Sequence, residues 1–331
     1  MTASMNRREL CLAAVAGAAA FAARSAHAQA YPARPIHLVV PFTPGGSSDV
    51  LGRAIGQELA LAWNQPVVID NVPGAGGSLG AERAARAAPD GYTLFMGHTG
   101  TLAVNPSLYP KLGYDPLRSF APVAWVARVP NVLVVHESVP ARTLAELVAL
   151  AKSKPGTLAY GSGGNGSAAH VTMEYLKLQT GASLLHIPYR GTAPSVNDLL
   201  AGQVQALFTG APALLPHIKA GKMRALAVSS PRRIALLPDV PTVAESGVAG
   251  TKGFEADQWY GVVAPAGTPP QVIAMLNQQI NRSLESTEVK ARLAAEGAAA
   301  TPATPQAFAQ LIASEITRWD RVIKAAHVTV D

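Results

Sequence analysis

The chain has 331 residues, with 27 Lys and Arg against 21 Asp and Glu, 15% charged and 49% hydrophobic residues. That balance is too apolar and too lightly charged for a disordered chain, and no glycine period of collagen type is present. The length exceeds what one hydrophobic core ordinarily serves, so two domains are expected, and no segment after residue 30 has the ~18 uninterrupted apolar residues of a membrane span.

The first 28 residues form a unit of their own. Arg7 and Arg8 precede an Ala-rich run over 10–23, and Ala26-His27-Ala28 supplies a small-x-small cleavage pattern. This reads as a cleaved export signal spanning 1–28, with the mature chain in the periplasm. The arginine pair, the weakly hydrophobic core and Arg24 near the cut fit a twin-arginine signal, and an ordinary secretory signal fits equally. Cleavage leaves 24 Lys and Arg against 20 Asp and Glu, a net +4, and removes Cys11, the one cysteine. The mature chain is therefore expected to have no disulfide, thiolate metal site or cysteine nucleophile. Its charge is too small and dispersed for nucleic acid.

From residue 36 a strand, a glycine turn and a helix repeat. The run 36–42 (IHLVVPF) suits a strand buried on both faces, followed by TPGGSSD and helical spacing over 50–62. A strand at 67–69, the turn DNVPGAGGS, a helix at 79–88 and a strand at 92–96 come next. A second set starts at 131–135, with a helix at 144–152 begun by Thr143, a strand at 158–160, the turn GSGGNGS and a helix at 168–179. Strand 185–188, helix 193–201, strand 204–208, helix 211–220 and strand 224–229 complete it, and helices at 270–283, 289–296 and 305–325 close the chain. Such alternation argues for α/β domains, each a parallel sheet flanked by helices. The apolar stretches near 124–132 and 254–263 are too extended for simple turns and are the expected crossings. The pattern is compatible with a discontinuous first domain or with two sequential ones.

Ligands of open α/β sheets sit beyond the carboxyl ends of strands, where loops feed helix N-termini. After Pro44, Gly45 and Gly46 leave main-chain N–H groups accessible there, and the following helix adds partial positive charge, which together suit an anion. Ser48 or Asp49 reads equally as a helix N-cap, and for Asp49 the cap is favoured because its charge repels an anion. Gly161-Ser162-Gly163-Gly164-Asn165-Gly166 satisfies G-x-G-x-x-G, but no acid follows about 20 residues on to hold a ribose. The loop is better read as binding a smaller anion through Ser162, Ser167 and main-chain N–H groups, with Ser167 competing as a cap. Gly76-Gly77-Ser78-Leu79-Gly80 matches the nucleophile elbow of a serine hydrolase, yet it stands too far from its strand, and neither acid nor histidine is advertised. Of seven mature histidines none makes a metal-binding pair; His98 and His170 lie in or beside glycine loops. Arg190, in Tyr189-Arg190-Gly191, could face an acid or simply solvent.

Taken together, YPARPIHLVVPFTPGGSSD, VVIDNVPGAGGSLG, PDGYTLFMG, GSGGNGSAAH, HIPYRGTAPSVNDLLAGQV, GKMRALAVSS and LPDVPTVAESG resemble, in order and spacing, the Bug proteins, the TctC-like substrate-binding proteins of tripartite tricarboxylate transport systems. The resemblance runs from about Tyr31 to the C-terminus. It implies a two-domain periplasmic binding protein of the type II, Venus-flytrap kind, with domain 1 discontinuous over 31–130 plus 255–331 and domain 2 over 131–254. It further implies a non-enzymatic, cofactor-free monomer that closes on a small carboxylate through main-chain amides. The ligand-binding set carried over by motif is Phe42, Pro44, Gly45, Gly46, Ser48, Asp49, His98, Thr99, Ser162, Gly163, Gly166, Ser167, His170, Tyr189, Arg190, Gly191 and Thr209. The partners implied are TctA/TctB-like membrane subunits; a sensor protein is the alternative.

Overall fold

The computed structural model describes residues 31–189 and 191–329; the stretch 1–28 expected to be an export signal, and Arg190, lie outside the described residues. From Arg34 onward the contacts form one unit built on two mixed sheets. The first contains β1 (Ile36–Val40), β2 (Val67–Asn71), β3 (Thr93–His98), β4 (Phe120–Val129), β10 (Gln258–Pro265) and β11 (Ala299–Ala300), in the order β11-β4-β10-β3-β1-β2. The second contains β5 (Asn131–His136), β6 (Ala159–Ser162), β7 (Leu185–Pro188), β8 (Ala206–Gly210) and β9 (Met223–Val228), in the order β7-β6-β8-β5-β9.

Helices flank both. Around the first sheet lie α1 (Ser47–Trp63), α2 (Ser78–Ala85), α3 (Asn105–Leu108), α8 (Pro270–Ser283), α9 (Thr287–Ala295) and α10 (Pro305–Ala325); around the second lie α4 (Leu144–Ser153), α5 (Ala168–Thr180), α6 (Thr192–Leu200) and α7 (Leu215–Lys219). Local signals start several of them: Thr143, Ser167, Ser286 and Thr304 each accept an N–H from the first turn of α4, α5, α9 and α10. Gly181, at φ 70°, stops α5.

The expectation of parallel sheets needs correction. β1, β2 and β3 are parallel, as are β6, β7 and β8, but β10 runs antiparallel to β3 and β4, and β5 antiparallel to β8 and β9. The cause is the crossing itself. The apolar stretch over 124–132 is a strand of the first sheet as far as Val129, turns at Pro130, and continues at Asn131 as a strand of the second. The return over 254–263 likewise becomes β10. A strand entering from the other sheet begins at the edge where the parallel strands end, so it must run against them.

β5 is buried from Asn131 to Val135, in keeping with its unbroken apolar run. α10 presses Phe308 and Trp319 toward Trp259 of β10, with the Trp259 and Phe308 rings edge to face at 5.8 Å. Gly261 permits this approach: an added Cβ would run into the Phe308 ring and lie 2.8 Å from the Ala124 carbonyl oxygen. Gly261→Ala should therefore cost about 1–3 kcal/mol by overpacking, measured as a lower denaturation midpoint at unchanged helix content.

Candidate functional site

Strand polarity decides what faces what. β1, β3 and β4 end, and β10 begins, at one edge of the first sheet; β6, β8 and β9 end, and β5 begins, at one edge of the second. Because Pro130 joins β4 directly to β5, these edges confront each other. Phe42 to Asp49 and His98 therefore lie across from Ser162 to His170 and from Thr209. Contact across the divide is close, for a Cβ on Gly166 (φ 74°) would collide with Leu108.

In the first loop Gly46 occupies the cap position of α1 without a side-chain bond, contrary to the expected Ser48 or Asp49 cap. Asp49, 3% exposed, instead draws the loop in, accepting Gly45 N–H at 3.0 Å, Arg53 Nε at 2.9 Å and Asn71 Nδ2 at 3.0 Å. Burial alone would raise its pKa, but the bonds from Arg53, Gly45 and Asn71 prevail and hold it below the ordinary value. Its charge is thereby engaged inside the protein. Pro44, Gly45 and Gly46 stay exposed, and a Cβ on either glycine would meet nothing within 4 Å. Among the described residues the N–H groups of Gly46, Ser47 and Ser48 carry no hydrogen bond, whereas that of Asp49 already donates to Gly46 O at 2.9 Å.

His98 is buried, with its ring edge-on to Phe42 at 4.8 Å and tilted against Tyr260 at 6.0 Å. Burial pulls its pKa down to about 4. Thr101 N–H donates to its Nδ1 at 3.1 Å, so the neutral ring carries its proton on Nε2. A π-helical turn, Gly100–Val104, carries Thr101 back under the ring. Thr99 is structural here, its hydroxyl accepting Trp259 N–H at 2.8 Å. Tyr260, which sequence reasoning missed, is buried beside Ser47 and Glu296; burial, reinforced by the Glu296 carboxylate, raises its pKa. The Ser47 hydroxyl donates to Glu296 Oε2 at 2.5 Å.

In the second loop the expected hydroxyl donors are engaged locally. Ser162 Oγ contacts His186 Nε2 at 2.7 Å and Gly164 at 3.1 Å, and Ser167 caps α5 through His170 N–H. His170 Nδ1 accepts Gly166 N–H at 3.0 Å, and the ring stacks on His186 at 3.7 Å. Burial, with Lys177 nearby, lowers the His170 pKa to about 4; burial, with His170 and Lys177 adding, lowers that of His186 to about 3. Among the described residues the N–H groups of Gly163 and Asn165 carry no hydrogen bond. What the loop offers is therefore main-chain amide. Gly191 N–H donates to Gly163 O at 3.2 Å, and Tyr189 donates its hydroxyl to Asp198 at 2.7 Å, so both support the loop from behind. The Thr209 hydroxyl has no partner among the described residues.

Ser78 is buried, and its Oγ meets the Asn105 amide at 2.9 Å, with no imidazole as partner. Among the described residues no group of three His, Cys, Asp or Glu is arranged to hold a metal.

The profile described as "Tripartite tricarboxylate transporter family receptor" matches residues 51–328. The chain belongs to this family. It is 43% identical over 298 residues to the protein BugT of Bordetella pertussis, covering 90% of each chain. The R. palustris protein Rpa4515, solved with adipate, superposes with a TM-score of 0.82 at 38% identity, over 90% of this chain and 99% of that one. MatC of Rhodopseudomonas palustris, solved with bound malate, gives a TM-score of 0.78 at 36% identity, over 88% and 100%. As a TctC-type receptor the chain is a solute-binding protein, not an enzyme, of a family of periplasmic binding proteins serving tripartite transporters.

The site's imidazoles carry a pH signature. Three histidines with pKa values of about 4, 4 and 3 bind fewer protons folded than unfolded below pH ~6.5. Their stabilisation is full above that pH and is lost as pH falls toward 4. Asp257, pushed up to about 6 chiefly by burial, works oppositely, its contribution shrinking as pH rises from about 4 to 6. Three imidazoles against one carboxyl decide the sign. The melting temperature should fall between pH 7 and pH 4.5, and His98→Asn should flatten that slope in a pH-resolved thermal melt.

Proposed function

We propose that this chain captures a small carboxylate in the periplasm, between the sheet edges facing each other across Pro130, and delivers it to TctA/TctB-like membrane subunits. The observation that carries the reading is the pair of glycine loops with unpartnered main-chain N–H groups on confronting edges. Neither loop brings a free cation from the described residues, since Arg53 is engaged by Asp49. Oriented N–H dipoles and helix ends replace ion pairs, as suits an anion that must later be released. Relatives solved with adipate and with malate fit such a site.

The proposed ligand set keeps Phe42, Pro44, Gly45, Gly46, Ser48, His98, Gly163, Gly166, His170 and Thr209 at the cleft. Asp49, Thr99, Ser162, Ser167, Tyr189 and Gly191 support it from behind. Arg190 remains a candidate by sequence alone. The moving bodies are residues 31–130 with 255–331 and residues 131–254, hinged at the crossings, and the mature protein acts as a monomer released by cleavage after Ala28. Ligand favours the closed form only by its greater affinity for it.

Gly163 has an ordinary φ, and an added Cβ would find its nearest atoms at 3.5 Å, so a side chain there is tolerated by the fold yet fills the space before the free N–H groups. Wild type should show a saturable rise in melting temperature with adipate or malate, worth about 2.7 kcal/mol at a hundredfold excess over Kd. Gly163→Leu should melt normally and lose that rise. A wild type indifferent to every small carboxylate would overturn the reading.

A further inference from the structure

The crossing holds a chain of amides whose orientation is fixed by its neighbours. Asn131 is fully buried. Its Nδ2 donates to the Ala256 carbonyl at 2.9 Å and to Thr172 Oγ1 at 3.1 Å. A carbonyl only accepts, so the Nδ2 end must face Ala256 and the Oδ1 end must face Gln258. Gln258 then turns its Nε2 to that oxygen, at 2.8 Å, and its Oε1 receives the Tyr260 hydroxyl at 3.1 Å. No rotation of either amide keeps all these bonds.

An amide nitrogen has two N–H groups, and Asn131 takes one from Gln258. The second has no partner among the described residues. Gln258 is half-buried and opens the first residue of β10, at the edge that faces the second sheet. A Cβ on Gly210, at the end of β8, would lie 3.5 Å from this Nε2. The approach is open because Gly210 has no side chain.

Sheet order gives the reach. β10 is separated from β1 by β3, and β5 from β6 by β8. The glycine loops thus stand two strand spacings from the crossing, about 10 Å, with His98 and Thr209 between. A short linear diacid with a hydrogen bond at each end spans that distance. The neutral His98 and the Phe42 and Tyr260 rings beside it offer its middle an uncharged wall.

We propose that Gln258 is a specificity-determining residue whose free side-chain N–H receives a second hydrogen-bond acceptor on the ligand, at the end away from the glycine loops. This rests on the carboxylate-binding reading above and narrows it: the ligand is a diacid or a hydroxy acid of similar reach. A monocarboxylate leaves the N–H unsatisfied, and a distal ammonium presents donor to donor.

The test compares adipate with hexanoate, alike in length but lacking the second acceptor, by calorimetry on the mature protein and on Gln258→Met. Wild type should prefer adipate by about tenfold or more, the worth of one hydrogen bond to a charged group. In Gln258→Met that preference should collapse, adipate and hexanoate then binding within about twofold of each other. A natively folded Gln258→Met that keeps the wild-type ratio, or a wild type that binds both acids equally, overturns the assignment while leaving carboxylate capture intact. A wild type that binds neither removes the carboxylate reading itself. Should the variant fold poorly, the Gln258 side-chain amide resonances of the wild type answer the same question. Adipate but not hexanoate should shift one of the two protons, and resonances indifferent to both acids overturn the assignment.

Discussion

The structure depends on satisfying polar groups where chain segments cross between two sheets with little water to help. Asn131 meets most of that requirement. Its N–H donates to Ser229 Oγ, its carbonyl accepts Ser229 N–H, and its side chain reaches Ala256, Thr172 and Gln258. Ser229 in turn donates to the buried Asp257 at 2.5 Å. An unpaired buried amide would cost about 1–3 kcal/mol, so the network pins β5, β9 and β10 together at the point where the chain passes between the two sheets. Arg128 pairs with Glu255 alongside, from the two segments of the first half that lead into the crossing.

Electrostatically, the site is built by neutralising or engaging its own charges. Asp49 answers Arg53, Glu296 receives Ser47, and the buried histidines are neutral. What the proposed cleft is left with is oriented dipole: N–H groups of two glycine loops, the Thr209 hydroxyl and the amide hydrogen proposed for Gln258. Such a site holds an anion without a buried counter-charge, whose desolvation would be costly. It also fits a receptor that has to surrender its ligand.

Much of the local structure around the candidate site was legible in the chain. Both glycine loops, the caps Thr143 and Ser167, and the helices at 270–283 and 305–325 follow from short-range chemistry. Less legible was the use of each side chain. Ser162 reads as a ligand donor until His186, 24 residues away, takes its hydroxyl. Asp49 reads as a helix cap until Arg53 and Asn71 claim it. Gln258 gave no signal beyond being a polar residue at the head of an apolar run, because its meaning lies in Asn131, 127 positions earlier.

The sequence by itself determined the alternation of strands, turns and helices, the placement of accessible main-chain N–H groups at two loops, and, through seven ordered motifs, the family. These rest on periodicity, on missing side chains and on local capping, all of which act within a few residues. Only the tertiary structure decided that the sheets are mixed, that the loop hydroxyls are engaged within the protein, and which amide hydrogen is left over at the crossing. Those outcomes depend on which donor meets which acceptor across separate segments, some two dozen residues apart and others more than a hundred, and such complementarity leaves no periodic trace in the chain.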